Sequence, residues 1–276
     1  MAEPSKHRKA KPGTLIIIGG HEDHDGDCLI LKEVASMISN GKLVLATIAS
    51  HEPDGYLEKY QTSFARLGIS DVTELYIEDR LEAGLPEKIA ALEDVQAVFF
   101  SGGDQLRITS QIGDTPIEER VHQIYEAGGV VAGTSAGASA MSETMLVRAS
   151  NSASYRLGDL QMAAGLGLLP GVIIDQHFAQ RGRIGRLIGA VAQNPRVLGV
   201  GIDEDTAIVV RDGHFRVIGS GAVYLVDGSG VTHSNIAEGE PDTPLSIYDL
   251  RLHVLSSGDG FDLQARRPEH ADGQRT

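Results

Sequence analysis

One cysteine, Cys28, in 276 residues leaves no partner for an internal disulfide and excludes any site built from several thiolates. Positive charge is scarce too: 24 Lys and Arg stand against 38 Asp and Glu, a formal charge of −14. Such a surface repels the polyanions that a general nucleic-acid or anionic-membrane binder must hold. It suits solubility and the approach of a cationic substrate. Long apolar runs are also missing, and nothing comes near the roughly 20 uncharged residues that cross a bilayer. The basic start, with Lys6, Arg8, Lys9 and Lys11, leads only into Leu15–Ile18, too short for the roughly 7–15-residue core of a secretory signal. It reads as a disordered arm over 1–12 of a cytoplasmic protein. With no linker and no internal repeat, 13–264 reads as a single α/β catalytic domain. The polar stretch 265–276 reads as a disordered tail.

What is present is a composition that can bury a sizeable core, 41% hydrophobic and 22% charged, with 33 glycines. Thr14–Ile18 is a continuous apolar run closed by Gly19-Gly20, as a strand buried on both faces would be. Helical spacing follows over Cys28–Ser39, then a strand at Lys42–Ala49 and a helix at Tyr56–Leu67 closed by Gly68. Further strands are expected at Val72–Ile77, Ala97–Phe100 and Val130-Val131, with a helix from Pro116 to Ala127 between the last two. After Gly165 come a strand at Val172–Ile174, a helix at Ile184–Gln193 and a strand at Val197–Ile202. Repeated β-α-β units predict a doubly wound, mainly parallel sheet. From Ala207 the short runs Ala207–Val210, His214–Ile218 and Ala222–Val226 read as hairpins in a β-rich C-terminal extension.

The sharpest local feature is Gly133-Thr134-Ser135-Ala136-Gly137, a G-x-S-x-G directly after a buried strand and before a helical stretch at Ala138–Met141. In a nucleophile elbow the serine occupies a strained turn, and small neighbours let strand and helix approach. Its hydroxyl then projects at the carboxyl end of the sheet, where α/β proteins place their sites. A serine needs a base, and the base needs an orienting group. Among ten histidines, His177 stands out because Asp175-Gln176-His177-Phe178 follows the strand Val172–Ile174. The orienting acid is sought in Gly201-Ile-Asp-Glu-Asp205, just past another strand, where spacing alone leaves Asp203, Glu204 and Asp205 open. A serine–lysine pair is less attractive, since every lysine lies at or before Lys88. Oxyanion donors would be the amides of Ala136 and of Gly102 or Gly103, in the loop after Ala97–Phe100.

Between Leu160 and Ile202 four arginines face a single acid, Asp175. Arg181, Arg183 and Arg186 stand beside the candidate base, where guanidinium forks could grip a carboxylated substrate. The alternative is a basic helix start paired with acids elsewhere. The acidic, histidine-rich His21–Asp27 lacks the helical spacing of a zinc motif and reads as a solvated loop, with no metal assigned. Gly19-Gly20 is not a dinucleotide fingerprint, and no cofactor is expected.

Gly133–Ala138, Asp175–Phe178 with Arg181, Arg183 and Arg186, Gly201–Glu204, Phe99–Gln105 and the Gly19-Gly20 opening together resemble the cyanophycinases. These are serine peptidases of the family that also contains the α-aspartyl dipeptidases. The resemblance runs from about Gly13 to Val226. It implies a fold similar to class I glutamine amidotransferases and a Ser135–His177–Glu204 triad. It also implies a homodimer that hydrolyses cyanophycin, an aspartate backbone with arginine on each side-chain carboxyl, to β-Asp-Arg dipeptides. Gln105, Asp175, Gln176, Arg181, Arg183 and Arg186 match the family's substrate pocket. The departure is the acidic, histidine-rich loop after Gly20, longer in charge than the family's usual Gly-Gly-Ala-Glu-Asp opening, which leaves recognition of the substrate end open. Two rival readings are an α-aspartyl dipeptidase with the same triad and a non-catalytic amidotransferase-like binding protein.

Overall fold

A computed structural model of the chain describes residues 11–38, 41–148, 155–158 and 160–270. Its centre is a parallel sheet built from β1 (Thr14–Ile18), β2 (Lys42–Ala46), β3 (Asp71–Leu75), β4 (Ala97–Phe100) and β5 (Val130–Thr134). The helices between them are α1 (Leu29–Ser36), α2 (Tyr56–Arg66), α3 (Pro86–Ala90), α4 (Gln105–Ile112) and α5 (Pro116–Glu126). Neighbours run β1-β5-β4-β2-β3, every pair parallel. Helix α4 is absent from the sequence reading. Its start is marked by Asp104, whose side chain accepts from the Leu106 amide, and Ile108 and Ile112 supply its buried face.

Alternation along β1 shows why the strand is apolar throughout. Leu15 and Ile17 enter one core with Ile108, Val121 and Ala138, whereas Ile16 and Ile18 enter another with Leu31, Val34 and Phe64. Both faces are covered, so no position can be polar without a partner.

Past β5 come the short α6 (Ala136–Ala140) and the pair β6 (Thr144–Arg148) and β7 (Gln161–Ala164). Then follow β8 (Val172–Gln176), α7 (Ile184–Gln193), β9 (Leu198–Ile202), β10 (Thr206–Arg211), β11 (His214–Gly219) and β12 (Val223–Asp227). The remaining strands are β13 (His233–Ser234), β14 (Ile247–Tyr248), β15 (Arg251–Leu255), β16 (Gly260–Asp262) and β17 (Arg267–Glu269). A second sheet runs β15-β12-β9-β8. One of its faces joins the central core through Ile174, Val200 and Leu225, and α7 covers the other with Leu187 and Val191.

The C-terminal strands are woven into both sheets. Antiparallel β10, β11, β16 and β17 widen the central sheet from β1, giving nine strands among the described residues, while β12 and β15 join β9. The expected hairpin of His214–Ile218 with Ala222–Val226 does not form, although that of β10 with β11 does. Gly219-Ser-Gly221 carries the chain between sheets instead. Ser220 N donates to Asp205 O at 2.9 Å, and Ala222 N donates to Asp203 Oδ2 at 3.1 Å. The tail expected from Ala265 is paired through Glu269, and 271–276 lie outside the described residues. Of the expected arm, 1–10 lie outside them as well, and Lys11 Nζ donates to Asp212 Oδ2 at 2.9 Å. No helix among the described residues is long and apolar enough to cross a membrane.

Candidate active site

Three strand ends meet at one cleft. Ser135 directly follows β5 and stands at the N-cap position of α6 at φ 53°, ψ −111°, outside the backbone regions open to ordinary residues. The small neighbours have steric reasons. A Cβ on Gly137 would stand 2.4 Å from Phe100 O, and one on Gly133 would stand 2.7 Å from the Gly137 carbonyl. Only glycine lets β5 and α6 fold back so closely.

His177 follows β8, also at positive φ (47°), with its amide on Gly19 O at 2.8 Å. Ser135 Oγ lies 2.9 Å from His177 Nε2, and His177 Nδ1 lies 2.6 Å from Glu204 Oε1. Ser135 therefore rides on the central sheet, whereas His177 and Glu204 ride on the second one. Because Nδ1 faces a carboxylate, its proton sits there, leaving Nε2 free to accept from the serine. Burial lowers the His177 pKa from its ordinary value, and the Glu204 hydrogen bond only partly restores it. Burial pushes Glu204 up, but hydrogen bonds from His177 and His21 outweigh it, so Glu204 stays below the usual carboxylate range.

The neighbouring acids are otherwise engaged. Asp203 is buried and accepts from the amides of Ala179 and Ala222. Asp205 turns away at φ 47° and accepts from Asp23 N and Ser220 Oγ. Of the three acids left open by spacing, Glu204 is the one facing the imidazole.

A cleft of about 850 Å³ opens over Ser135 and His177. Gln105, Gln176, Arg181, Arg183 and Arg186 line it, as do Gly102 and Gly103. Gly102 packs against the serine, its Cβ direction pointing 3.4 Å from Ser135 Cβ. Gln105 Nε2 donates to Leu146 O at 2.7 Å, tying α4 to β6. Asp175 does not face the cleft. It is fully buried and clamps two arginines from behind: Arg183 Nη1 lies 3.0 Å from Oδ1, and Arg186 reaches both oxygens through Nε and Nη2. The paired-acid alternative thus holds for Arg183 and Arg186, although both also line the cleft. Burial lowers the Arg183 pKa to about 10. Arg181 is exposed.

The loop His21–Asp27 is not wholly solvated. Glu22 and His24 are buried. Glu22 accepts from Thr134 Oγ1 at 2.5 Å and from the Tyr60 hydroxyl, and His24 Nδ1 pairs with Ser63 Oγ at 2.9 Å. Burial would raise the Glu22 pKa, but the neighbouring His24 and hydrogen bonds from Thr134 and Tyr60 bring it below the ordinary value. This network braces the residue just before Ser135, and its partners come from α2 and β5. Asp23 behaves as a loop residue, its carboxylate held at a pKa of about 2 by the amides of Cys28, Gly26 and Asp25.

A hydroxyl on a strained elbow, an imidazole and a carboxylate in series, set at the ends of a mainly parallel sheet, define a serine hydrolase. The family model described as peptidase family S51 matches residues 15–218, and the chain belongs to that family of serine peptidases. It is 39% identical over 262 residues to a protein of Synechococcus elongatus named cyanophycinase, covering 94% of this chain and 81% of that one. To a cyanophycinase of Trichormus variabilis it is 40% identical over 262 residues, covering 94% and 88%. In fold it is similar to a peptidase from an acI-B1 Actinobacterium, with a TM-score of 0.62 and 23% identity over 88% of this chain and 98% of that one.

Proposed function

We propose that the chain hydrolyses cyanophycin from a chain end to β-Asp-Arg dipeptides, with Ser135 as nucleophile, His177 as general base and Glu204 as its orienting partner. The observation that carries this reading is the unbroken hydrogen-bond line Ser135–His177–Glu204 beside an arginine-lined cleft. The substrate class follows from relatives named cyanophycinase that align along 94% of the chain.

His177 Nε2 takes the Ser135 proton as Oγ attacks the backbone amide carbonyl, and Glu204 stabilises the imidazolium that forms. The amides of Ala136 and of Gly102 or Gly103 receive the oxyanion. His177 returns its proton to the leaving amine, and water activated by the same imidazole releases the acyl group. Arg181, with the outward N–H groups of Arg183 and Arg186, holds substrate carboxylates. Asp175 acts through those two arginines as a positioning residue, and Gln105 and Gln176 border the bound dipeptide. The same reading includes a fold of the class I glutamine amidotransferase type, a homodimer and a cytoplasmic location.

Incubating the purified chain with insoluble cyanophycin should release soluble dipeptide, and Ser135→Ala should abolish release while leaving the fold intact. Cleavage of α-linked Asp-X dipeptides with the polymer untouched would instead make it an aspartyl dipeptidase. Full turnover in Ser135→Ala would remove the triad.

A further inference from the structure

Each oxygen of Glu204 faces a different imidazole. Oε1 meets His177 Nδ1 at 2.6 Å, and Oε2 meets His21 Nδ1 at 3.0 Å. The two rings stand edge to face, centroids 5.0 Å apart. One ligand atom from each of the three side chains lies within 4.8 Å of the other two. Hydrolysis gives tasks to His177 and Glu204 but none to His21.

The cluster is pre-organised by the backbone. Asp205 N donates to Gly20 O at 2.8 Å, His177 N to Gly19 O at 2.8 Å, and Asp23 N to Asp205 Oδ1 at 3.0 Å. The three loops carrying His21, His177 and Glu204 are therefore tied to one another at the residues flanking those side chains.

Two imidazole nitrogens and a carboxylate are the donor set of open zinc centres, with a fourth position left for water. The His21 side chain is 73% exposed, so a cation can enter from solvent. A hard cation such as Mg²⁺, which prefers all-oxygen sites, is disfavoured by this donor set against one that bonds to imidazole nitrogen.

We infer that His21, His177 and Glu204 form a reversible Zn²⁺ site, and that its occupation switches hydrolysis off. The second half rests on the triad reading. With zinc on Nδ1 of His177, the proton formerly there moves to Nε2, so the ring stays neutral and no proton is lost from it. Nε2 then donates and cannot accept the Ser135 proton. The serine loses its base while every residue remains in place.

The test uses two readouts. Cobalt(II) uptake by the Ser135→Ala protein, followed by visible absorption, should saturate at one equivalent. Adding His21→Ala should weaken it by about tenfold or more, the least expected from losing a ligand. In the active protein, zinc in a metal buffer should inhibit hydrolysis, each variant being normalised to its own metal-free rate. Inhibition should be about tenfold weaker in His21→Ala. His214→Ala, which disables a separate grouping with Asp262 and Glu269, should leave it unchanged. Absent cobalt uptake, or uptake indifferent to His21, overturns the metal site and leaves the triad reading standing. Cobalt uptake through His21 combined with hydrolysis that zinc does not slow overturns the shut-off.

Discussion

Gly20→Ala should cripple hydrolysis in a protein that still folds. Gly20 sits at φ +106° against the His177 ring, and a Cβ there would lie 2.3 Å from Cε1 and 2.6 Å from Nε2. Ordinary contact begins at 3.4 Å, so ring or loop must yield by about 1 Å. His177 is pinned by its amide to Gly19 and by Nδ1 to Glu204, which leaves the 2.9 Å contact of Nε2 with Ser135 Oγ to absorb the shift. A misplacement of that size costs about 100-fold in rate. The positive φ adds about 1–3 kcal/mol of backbone strain, a fraction of the total for a protein of this size. Gly68→Ala separates the two effects, because Gly68 has φ +88° with nothing within 4 Å of its Cβ direction. Both variants should lose stability in denaturant titrations, and only Gly20→Ala should lose kcat/KM. A Gly20→Ala rate within about threefold of the native one, with the fold intact, would refute the claim that the ring's seating against this glycine sets the base.

As the proposed base His177 must be neutral to take a proton, and burial holds its pKa below the ordinary 6.5. The acid limb of kcat/KM should therefore have its midpoint under pH 6.5, with activity falling as pH drops through it and flat above. Glu204→Gln removes the negative charge that helps raise that pKa, so the limb should move to lower pH while the plateau falls by about 10³–10⁴; an unmoved limb would contradict this assignment. Asp175→Asn uncouples Arg183 and Arg186 from their buried carboxylate, and should cost about 3–5 kcal/mol in denaturant unfolding and raise KM. Glu22→Gln places an amide where Thr134 and Tyr60 both donate, and should cost about 1–3 kcal/mol with some loss of kcat.

Most of the parallel sheet is legible in the sequence because strands covered on both faces must be apolar throughout, and glycine or polar residues mark where they end. Ser135 and His177 stand out for the same reason, each lying just past such a run. Which acid serves is not legible, since Asp203, Glu204 and Asp205 differ only in how the turn aims them. The buried side of the His21–Asp27 loop is hidden because its partners Tyr60, Ser63 and Thr134 lie 38, 39 and 112 residues away. A run of charges with no local partner looks like solvated surface. Asp175 misleads in the opposite sense: its place beside His177 suggests substrate contact, yet strand alternation turns it inward, onto the arginines. The Gly219-Ser-Gly221 turn has hairpin composition, and only the capture of its amides by Asp203, Asp205 and Thr206 sends it to the other sheet.

On the proposed roles the nucleophile belongs to one sheet and its base and acid to another, which would make turnover a gauge of how well the two layers are seated. Gentle heat or dilute denaturant that loosens their junction would quench the enzyme while each layer kept its own ladder of hydrogen bonds. Lost activity would then be the first symptom of damage, arriving before any spectroscopic sign of melting.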